Sequence, residues 1–485
     1  MMKDRAALRV AIASPEIAPF AKTGGLGDVL GALPKALAKL GLKVSLIMPA
    51  YRRILQSEVT LEDSGVRFTV PVYSRNEEAT LLTAKMGGIP VYLVRADRYF
   101  DRDHLYGDAA GDYPDNAERF AFFSRAILEV LKLVRPAILH ANDWQSAPAV
   151  VFLKTQPEFY SGLSSVRTVL TVHNPGYQGI FESRDLLLLN LDDRLTIPRY
   201  LEFYGKINFL KGGLVLADKI TTVSPSYAEE IKTEEQGFGL DGIFRERAGS
   251  LSGILNGADY DVWNPETDRL IAQNYSLGSL GGKQTCKTDL QRVFKLGENP
   301  DMPLVGMVAR LSAQKGFDLL EEAIDRLFSR KLQFVLLGTG DKRYQDFFSK
   351  ALAKYPGKAG IGVCFDETLA HKVIAGADFF LMPSRYEPGG LTQLYSLKYG
   401  TIPIVRAVGG LKDSIRDFSP SDGSGNGIVF TGYDAPSLIA AVDRALALFG
   451  DKENRQALIK NAMAADFSWE NAARAYRELY RSLMG

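Results

Sequence analysis

The sequence predicts an α/β protein made of two Rossmann-like, doubly wound domains. Short apolar runs alternate with segments of helical period along the whole chain, the pattern of parallel sheets joined by crossover helices. A strand, a glycine loop and a helix open the chain, and the same series restarts after residue 300. The length of 485 residues also exceeds what one hydrophobic core ordinarily holds.

In the first half, LRVAIAS reads as the opening strand. The glycine-rich stretch SPEIAPFAKTGGLGDV follows, then a helix over Val29–Leu40 that Gly41 stops and Pro34 kinks. KVSLIMP, PVYLV, AILHAND, TVLTVH and KITTVS continue the strand series. The Asn/Gly/Pro-rich region Asn256–Thr267 marks the join, giving domains over 1–258 and 259–465. In the second half PLVGMVARL is a strand, and Phe317–Phe328 is a helix whose apolar residues share one face. LQFVLLGTG, GVCF, DFFLMPS, TIPIVRA and GIVF follow as strands. Residues 466–485 hold a last helix over Ser468–Met484, N-capped by Ser468. Its stripe of Ala472, Ala473, Tyr476, Leu479, Tyr480 and Leu483 must pack on a larger body, with the N-terminal domain as the candidate.

Composition narrows the function classes. Hydrophobic residues make up 46% and charged residues 24%, values of a soluble globular protein, and the net charge is +1. That balance gives no support to a nucleic-acid or membrane-surface partner. Neither the N-terminus nor any later segment reads as a signal peptide or a membrane span, and Cys286 and Cys364 read as buried free thiols. A reducing cytoplasm is the expected setting.

The glycine loops carry the chemistry. Gly25, Gly27 and Gly31 are spaced one residue off the dinucleotide fingerprint, and the second strand ends IMPAYRR with no carboxylate for a ribose. Lys22 beside exposed amides at a helix start points instead to an anion. In VARLSAQKG, Arg310 follows a strand and Lys315 lies in the loop before a helix, where two cations could clamp a pyrophosphate. In SRYEPGGLTQLYSLKYG, a glycine turn opens a helix with Glu387 just ahead of it. A carboxylate facing an anion site makes sense where it serves sugar hydroxyls or a developing cation. VGGLKDSI is a further glycine turn into a helix. Two D-x-D triplets, Asp101–Asp103 and Asp259–Asp261, match a metal-bridging pattern that arises easily by chance.

Taken together, KTGGLGDV, TVHNPGYQG, FYGKINFLKGGLVLADKITTVSPSYAEEI, GILNGADYDVWNP, ARLSAQKG and SRYEPGGLTQLYSLKYGTIPIV resemble the bacterial glycogen synthase and plant starch synthase family, in family order and over nearly the whole chain. The resemblance implies a B-type glycosyltransferase fold, two Rossmann-like domains facing a deep cleft. The implied reaction moves glucose from ADP-glucose to the non-reducing end of an α-1,4-glucan with retention, without metal or pyridoxal phosphate. Carried over by motif, Lys22, Gly24, Gly25 and Asp28 belong to the donor phosphates and acceptor face. His173, Asn174 and Asn256 belong to the transferred glucose, and Asp143 and Trp144 to the sugar and acceptor. Arg310 and Lys315 bind the diphosphate, and Glu387 contacts the glucose. Gly390, Leu391 and Thr392 hold the distal phosphate, and Phe365 lies against adenine. Tyr395 stands where related families carry a second Glu, Gln145 where His is common, and Gly389 where Cys is frequent. The competing readings are a transferase using UDP-glucose or another acceptor, a glucan phosphorylase, for which no cofactor-lysine motif is found, and a non-catalytic glucan-binding protein.

Overall fold

The computed structural model describes residues 7–108, 111–192, 195 and 199–485. The chain divides into two compact units, Met1–Ile254 with Trp469–Gly485, and Leu255–Ser468. The division falls ahead of the expected boundary at 258.

In unit 1 the strands are β1 (Arg9–Ala13), β2 (Lys43–Pro49), β3 (Glu62–Val72), β4 (Arg75–Met86), β5 (Ile89–Arg95), β6 (Ile138–Asn142) and β7 (Arg167–Val172). The short β8 (Ile180–Phe181), β9 (Glu202–Phe203) and β10 (Lys206–Asn208) follow, then β11 (Lys219–Thr222) and β12 (Leu251–Gly253). One nine-stranded sheet runs β12-β11-β7-β6-β1-β2-β5-β4-β3, and β8-β10-β9 form a small separate sheet. The large sheet is parallel except where β4 pairs antiparallel with β3 and β5. Its central strands are buried along nearly their whole length because helices cover both faces, as β1 with all but Arg9 buried illustrates. β3 and most of β4 escaped the sequence reading because one face is wet and their residues alternate in burial.

The principal helices here are α1 (Gly25–Lys39), α2 (Asn116–Val134), α3 (Asp143–Thr155) and α4 (Phe209–Leu216). α1 begins at Gly25 rather than Val29. Gly27 belongs inside it because a Cβ there would sit 2.4 Å from the Lys22 Cβ, and at Gly31 one would sit 3.0 Å from the Ala18 carbonyl. Those two glycines seat the helix against the preceding loop. In α4, Gly213 lets the helix press on Ala147 and Leu170.

Unit 2 contains α5 (Gly281–Val293), β13 (Leu304–Val308), α6 (Phe317–Phe328), β14 (Gln333–Leu337), β15 (Ala359–Gly362) and α7 (Glu367–Gly376). β16 (Phe379–Met382), α8 (Thr392–Lys398), β17 (Ile402–Arg406), α9 (Gly409–Ser414) and β18 (Ile428–Phe430) complete its sheet. The order is β15-β14-β13-β16-β17-β18, parallel throughout. The strand expected over GVCF lies earlier, at β15, so residues 363–366 form an exposed loop. Cys364 is therefore exposed, a correction to the expected burial, while Cys286 is buried on the inner face of α5.

The last helix, α10 (Trp469–Ser482), belongs to unit 1. It buries Trp469, Ala472, Ala473, Tyr476 and Tyr480. The Tyr480 hydroxyl meets His140 Nδ1 at 2.8 Å, and His140 Nε2 meets Thr171 Oγ1 at 2.5 Å. The helix is thus tied to β6 and β7. Among the described residues no helix is long and apolar enough to cross a membrane.

Candidate active site

In open α/β sheets a ligand binds beyond the carboxyl ends of the strands where the strand order reverses. Each unit has such a point, and the residues singled out in the sequence cluster at both.

In unit 1 the order reverses between β1 and β6. The loop after β1 is organised by Glu16, which the sequence reading missed. Its buried carboxylate accepts the Thr23 amide at 2.5 Å, the Thr23 hydroxyl at 2.8 Å, the Gly24 amide at 3.3 Å and the Tyr106 hydroxyl at 2.7 Å. Four donors on one acid hold the Lys22–Gly25 turn open. Gly24 and Gly25 are exposed, with open space where a Gly24 side chain would stand. Lys22 Nζ pairs with Asp28 at 3.0 Å, bringing both predicted residues to the mouth of α1.

The loops after β6 and β7 bring Asp143 and His173 together. The Asp143 carboxylate accepts the His173 amide at 2.7 Å, and Asp143 itself sits at φ +54°. Burial pushes its carboxyl up to about 7, against the opposing pull of the His173 and Asn174 amides. His173 Nε2 lies 3.0 Å from Asn142 Oδ1, while Asn142 Nδ2 donates to the Ala13 carbonyl at 3.1 Å. With its Oδ1 facing the ring, Asn142 accepts a hydrogen bond from Nε2–H, so Nδ1 is the acceptor that remains. Burial lowers His173 to about 3, which keeps it neutral near pH 7.

Asn174 uses its Oδ1 to accept the Gly176 amide at 2.9 Å, shaping the loop. Trp144 is 8% exposed, packed among Phe120, Phe181 and Phe209 and over Gly179, where a Cβ would come within 2.4 Å of the indole. The structure therefore places Trp144 beneath the His173–Gly179 loop, as its support.

In unit 2 the order reverses between β13 and β16. Arg310 follows β13 and is exposed. Lys315 Nζ reaches both Glu387 oxygens, at 2.8 and 2.6 Å, and Ser384 Oγ donates to the same carboxylate at 3.0 Å. Glu387 is 4% exposed. A buried carboxylate without its cation would be costly, and here the partner is bidentate.

Glycines make this arrangement possible. Gly316, at φ +79°, brings the Lys315 turn within 2.1 Å (from a virtual Cβ) of the Pro383 carbonyl. Gly409, at φ +43°, and Gly410 press on the Glu387 and Gly389 carbonyls, at 2.0 and 1.9 Å from where Cβ atoms would stand. The Gly410 amide donates to the Glu387 carbonyl at 3.0 Å.

The remaining predicted residues divide by exposure. Gly390, Leu391 and Thr392 line the entry to α8, with Gly390 at φ +62°. Phe365 is 73% exposed, in the loop before α7. Asn256 is buried, and its Oδ1 lacks a hydrogen-bond partner. Tyr395 is buried in α8, stacked at 4.3 Å on Trp263, whose other face stacks at 3.7 Å on His371 of α7. Trp263 is thus a spacer between two helices that flank the predicted donor loops. In the first D-x-D triplet, Asp101 and Asp103 both hold Arg52, each at 2.6 Å.

Comparison with known proteins gives concordant results. Residues 9–246 match the starch synthase catalytic domain, and residues 290–464 match glycosyl transferases group 1. The chain is 48% identical over 476 residues to a glycogen synthase of Koribacter versatilis, covering 98% of each chain. It is 44% identical over 485 residues to a glycogen synthase of Thermosipho melanesiensis, covering 98% of this chain and 99% of the relative. Among solved structures, the catalytic domain of starch synthase IV from Arabidopsis thaliana, bound to ADP and acarbose, superposes with a TM-score of 0.91 at 33% identity. That match covers 99% of this chain and all of the other. Sucrose-phosphate synthase from Thermosynechococcus elongatus, at 20% identity and a TM-score of 0.62, shares the fold alone.

Proposed function

This chain belongs to the glycogen synthase and starch synthase family, and from that premise we propose that it transfers glucose from ADP-glucose to the non-reducing end of an α-1,4-glucan, with retention at the anomeric carbon. The observation that carries the reading is the Lys315–Glu387 pair at the strand-order reversal of unit 2, with Arg310 on the same β13–α6 connection. Cations and a carboxylate at one switch point suit a ligand that is anionic at one end and becomes cationic at the other.

Cleavage of the glucose–phosphate bond leaves negative charge on ADP and positive charge on the sugar. Arg310 and Lys315 stabilise the departing diphosphate as fixed charges, a preorganised role that a metal fills in other transferases. Gly390, Leu391 and Thr392 hold the distal phosphate, and Phe365 offers an exposed ring to the adenine. Glu387 faces the cationic sugar and orients it. The acceptor hydroxyl attacks from the side that ADP leaves, and its proton passes to the leaving phosphate. Lys22, Gly24, Gly25 and Asp28 serve the phosphates and the acceptor. Asn256, with its unpartnered carbonyl oxygen, and Asn174 reach the glucose. His173 is neutral and donates to Asn142, so its part is to accept from a sugar hydroxyl and not to supply a proton. No cofactor enters this scheme. The setting is the cytoplasm, in keeping with two unpaired cysteines.

Competition between labelled ADP-glucose and UDP-glucose, with glycogen as acceptor and β-amylase digestion of the product, tests the proposal. ADP-glucose is expected to label β-amylase-sensitive chain ends with clear preference. Equal use of UDP-glucose, or label in no glucan, contradicts it. A covalent glucosyl–Glu387 adduct trapped during turnover would contradict the orienting role of that residue.

A further inference from the structure

The FYGKINFL motif takes no part in the scheme above, and its geometry is unusual. β9 turns into β10 through only two residues, Tyr204 and Gly205, with Phe203 paired to Lys206 on either side. Both turn residues lie at positive φ, +51° and +79°. That pattern belongs to the tightest hairpins, whose first turn position ordinarily holds Asn, Asp or Gly because a larger side chain is strained there. Tyr204 accepts the strain and is 83% exposed, its ring meeting Phe203 edge-on at 4.8 Å. Burial does not explain a tyrosine at this tip, and strained, exposed residues on rigid supports are where function concentrates.

The support is rigid and leads to the site. β8 pairs with β10 through Ile180 and Asn208, and the Phe209 and Leu210 amides donate to the Gly179 and Gln178 carbonyls. The hairpin is therefore stitched to the loop that begins with His173 and Asn174. That loop exposes a second aromatic, Tyr177, 52% accessible. The Gln178 amide donates to the Phe238 carbonyl at 2.9 Å, and a Cβ on the next residue, Gly239, would stand 3.7 Å from the Tyr204 ring. The Phe238–Gly239 turn thus bridges the neighbourhoods of both tyrosines. The charges flanking the turn are engaged within the hairpin, the Glu202 carboxylate accepting the Gly205 amide at 2.8 Å and Glu182 pairing with Lys206 at 2.9 Å, which leaves a surface that suits a neutral polymer.

We propose that Tyr204 and Tyr177 form an aromatic platform on unit 1 for the α-glucan acceptor chain, laying the apolar C–H faces of glucose rings on their exposed faces and leading the chain end toward the His173 loop. The inference rests on the glucan-elongating reading above.

The test is Tyr204→Asn, with Tyr204→Trp as the conservative partner. Asparagine fits the turn, so Tyr204→Asn is expected to melt at or above the wild-type temperature. The same variant is expected to raise the KM for glycogen about fivefold, the order of one lost aromatic contact. Its dissociation constant for ADP should stay within twofold of wild type. Its retardation in glycogen-containing native gels should weaken in parallel, and Tyr204→Trp should restore both glycogen readouts. An unchanged glycogen KM and gel mobility in Tyr204→Asn overturns the platform, and a lowered melting temperature overturns the strain argument. A wild-type enzyme that adds no glucose to glycogen overturns the underlying reading instead.

Discussion

Glu16 draws four hydrogen-bond donors onto one buried carboxylate and so fixes the turn that presents Lys22 and Gly24. Replacing it with alanine strands the Thr23 and Tyr106 donors, at a cost of about 1–3 kcal/mol. Glu16→Ala is expected to lower the unfolding midpoint and to cut turnover at least tenfold. A variant with wild-type turnover would remove Glu16 from the account. Lys315 and Glu387 behave as a coupled pair. Lys315→Met leaves a buried carboxylate uncompensated and is expected to destabilise the protein by about 3 kcal/mol. The double variant Lys315→Met with Glu387→Gln should recover most of that loss in urea melts without recovering activity. The positions of Lys22, Arg310, Lys315 and Glu387 in loops after strands were legible in the sequence because each lies near a glycine turn between an apolar run and a helical segment. Glu16 and Asn142 were not, since an acid or amide that works through backbone groups leaves no spacing signal.

At the scale of elements, α9 shows why glycine loops carry information that single motifs lack. Gly409 and Gly410 let α9 approach the Glu387–Gly389 backbone. Gly410→Ala must push that loop by an ångström or more, and is expected to reduce kcat at least tenfold with secondary structure unchanged by circular dichroism. Trp263 has a similar reach. Its indole fills the gap between His371 of α7 and Tyr395 of α8, and those helices begin beside Phe365 and Thr392. Trp263→Ala is expected to weaken ADP binding about tenfold by calorimetry, more than it weakens AMP, because both ends of the nucleotide lose their spacing. Equal losses for the two nucleotides would deny Trp263 that role. α6 was readable to the residue because its apolar face repeats at helical spacing. The start of α1 and the strand β15 were misplaced because glycine, in each, serves close packing instead of breaking or pairing the chain.

For the molecule as a whole, acid sensitivity follows from two buried histidines in unit 1. Burial holds His140 and His173 near 3, whereas the unfolded chain takes up these protons near 6.5. Between those values the unfolded state binds more protons, so stability is full above about pH 6.5 and is lost as pH falls toward 3. Asp143 acts in the opposite sense: raised to about 7, its carboxyl costs stability as pH climbs from 4 toward 7. His140 is 1% exposed and contributes up to about 1.4 kcal/mol per pH unit. His140→Asn should therefore flatten the decline of the urea midpoint between pH 6.5 and 4.5, and an unaltered slope would show that another group governs it. The two-unit plan was visible in the repeated strand–loop–helix series. The return of α10 to unit 1 agrees with the candidate named from the sequence, although its apolar stripe alone states that it packs and not on what. The central claim is that protein cations, rather than a bound metal, stabilise the leaving ADP. Its most direct test is glucose transfer from labelled ADP-glucose into glycogen in excess EDTA, for wild type, Arg310→Ala and Lys315→Met, with folding checked by thermal melts. Full wild-type activity in chelator, with both variants reduced a hundredfold or more, is the predicted result; loss of wild-type activity in EDTA, or variants within threefold of wild type, would contradict it.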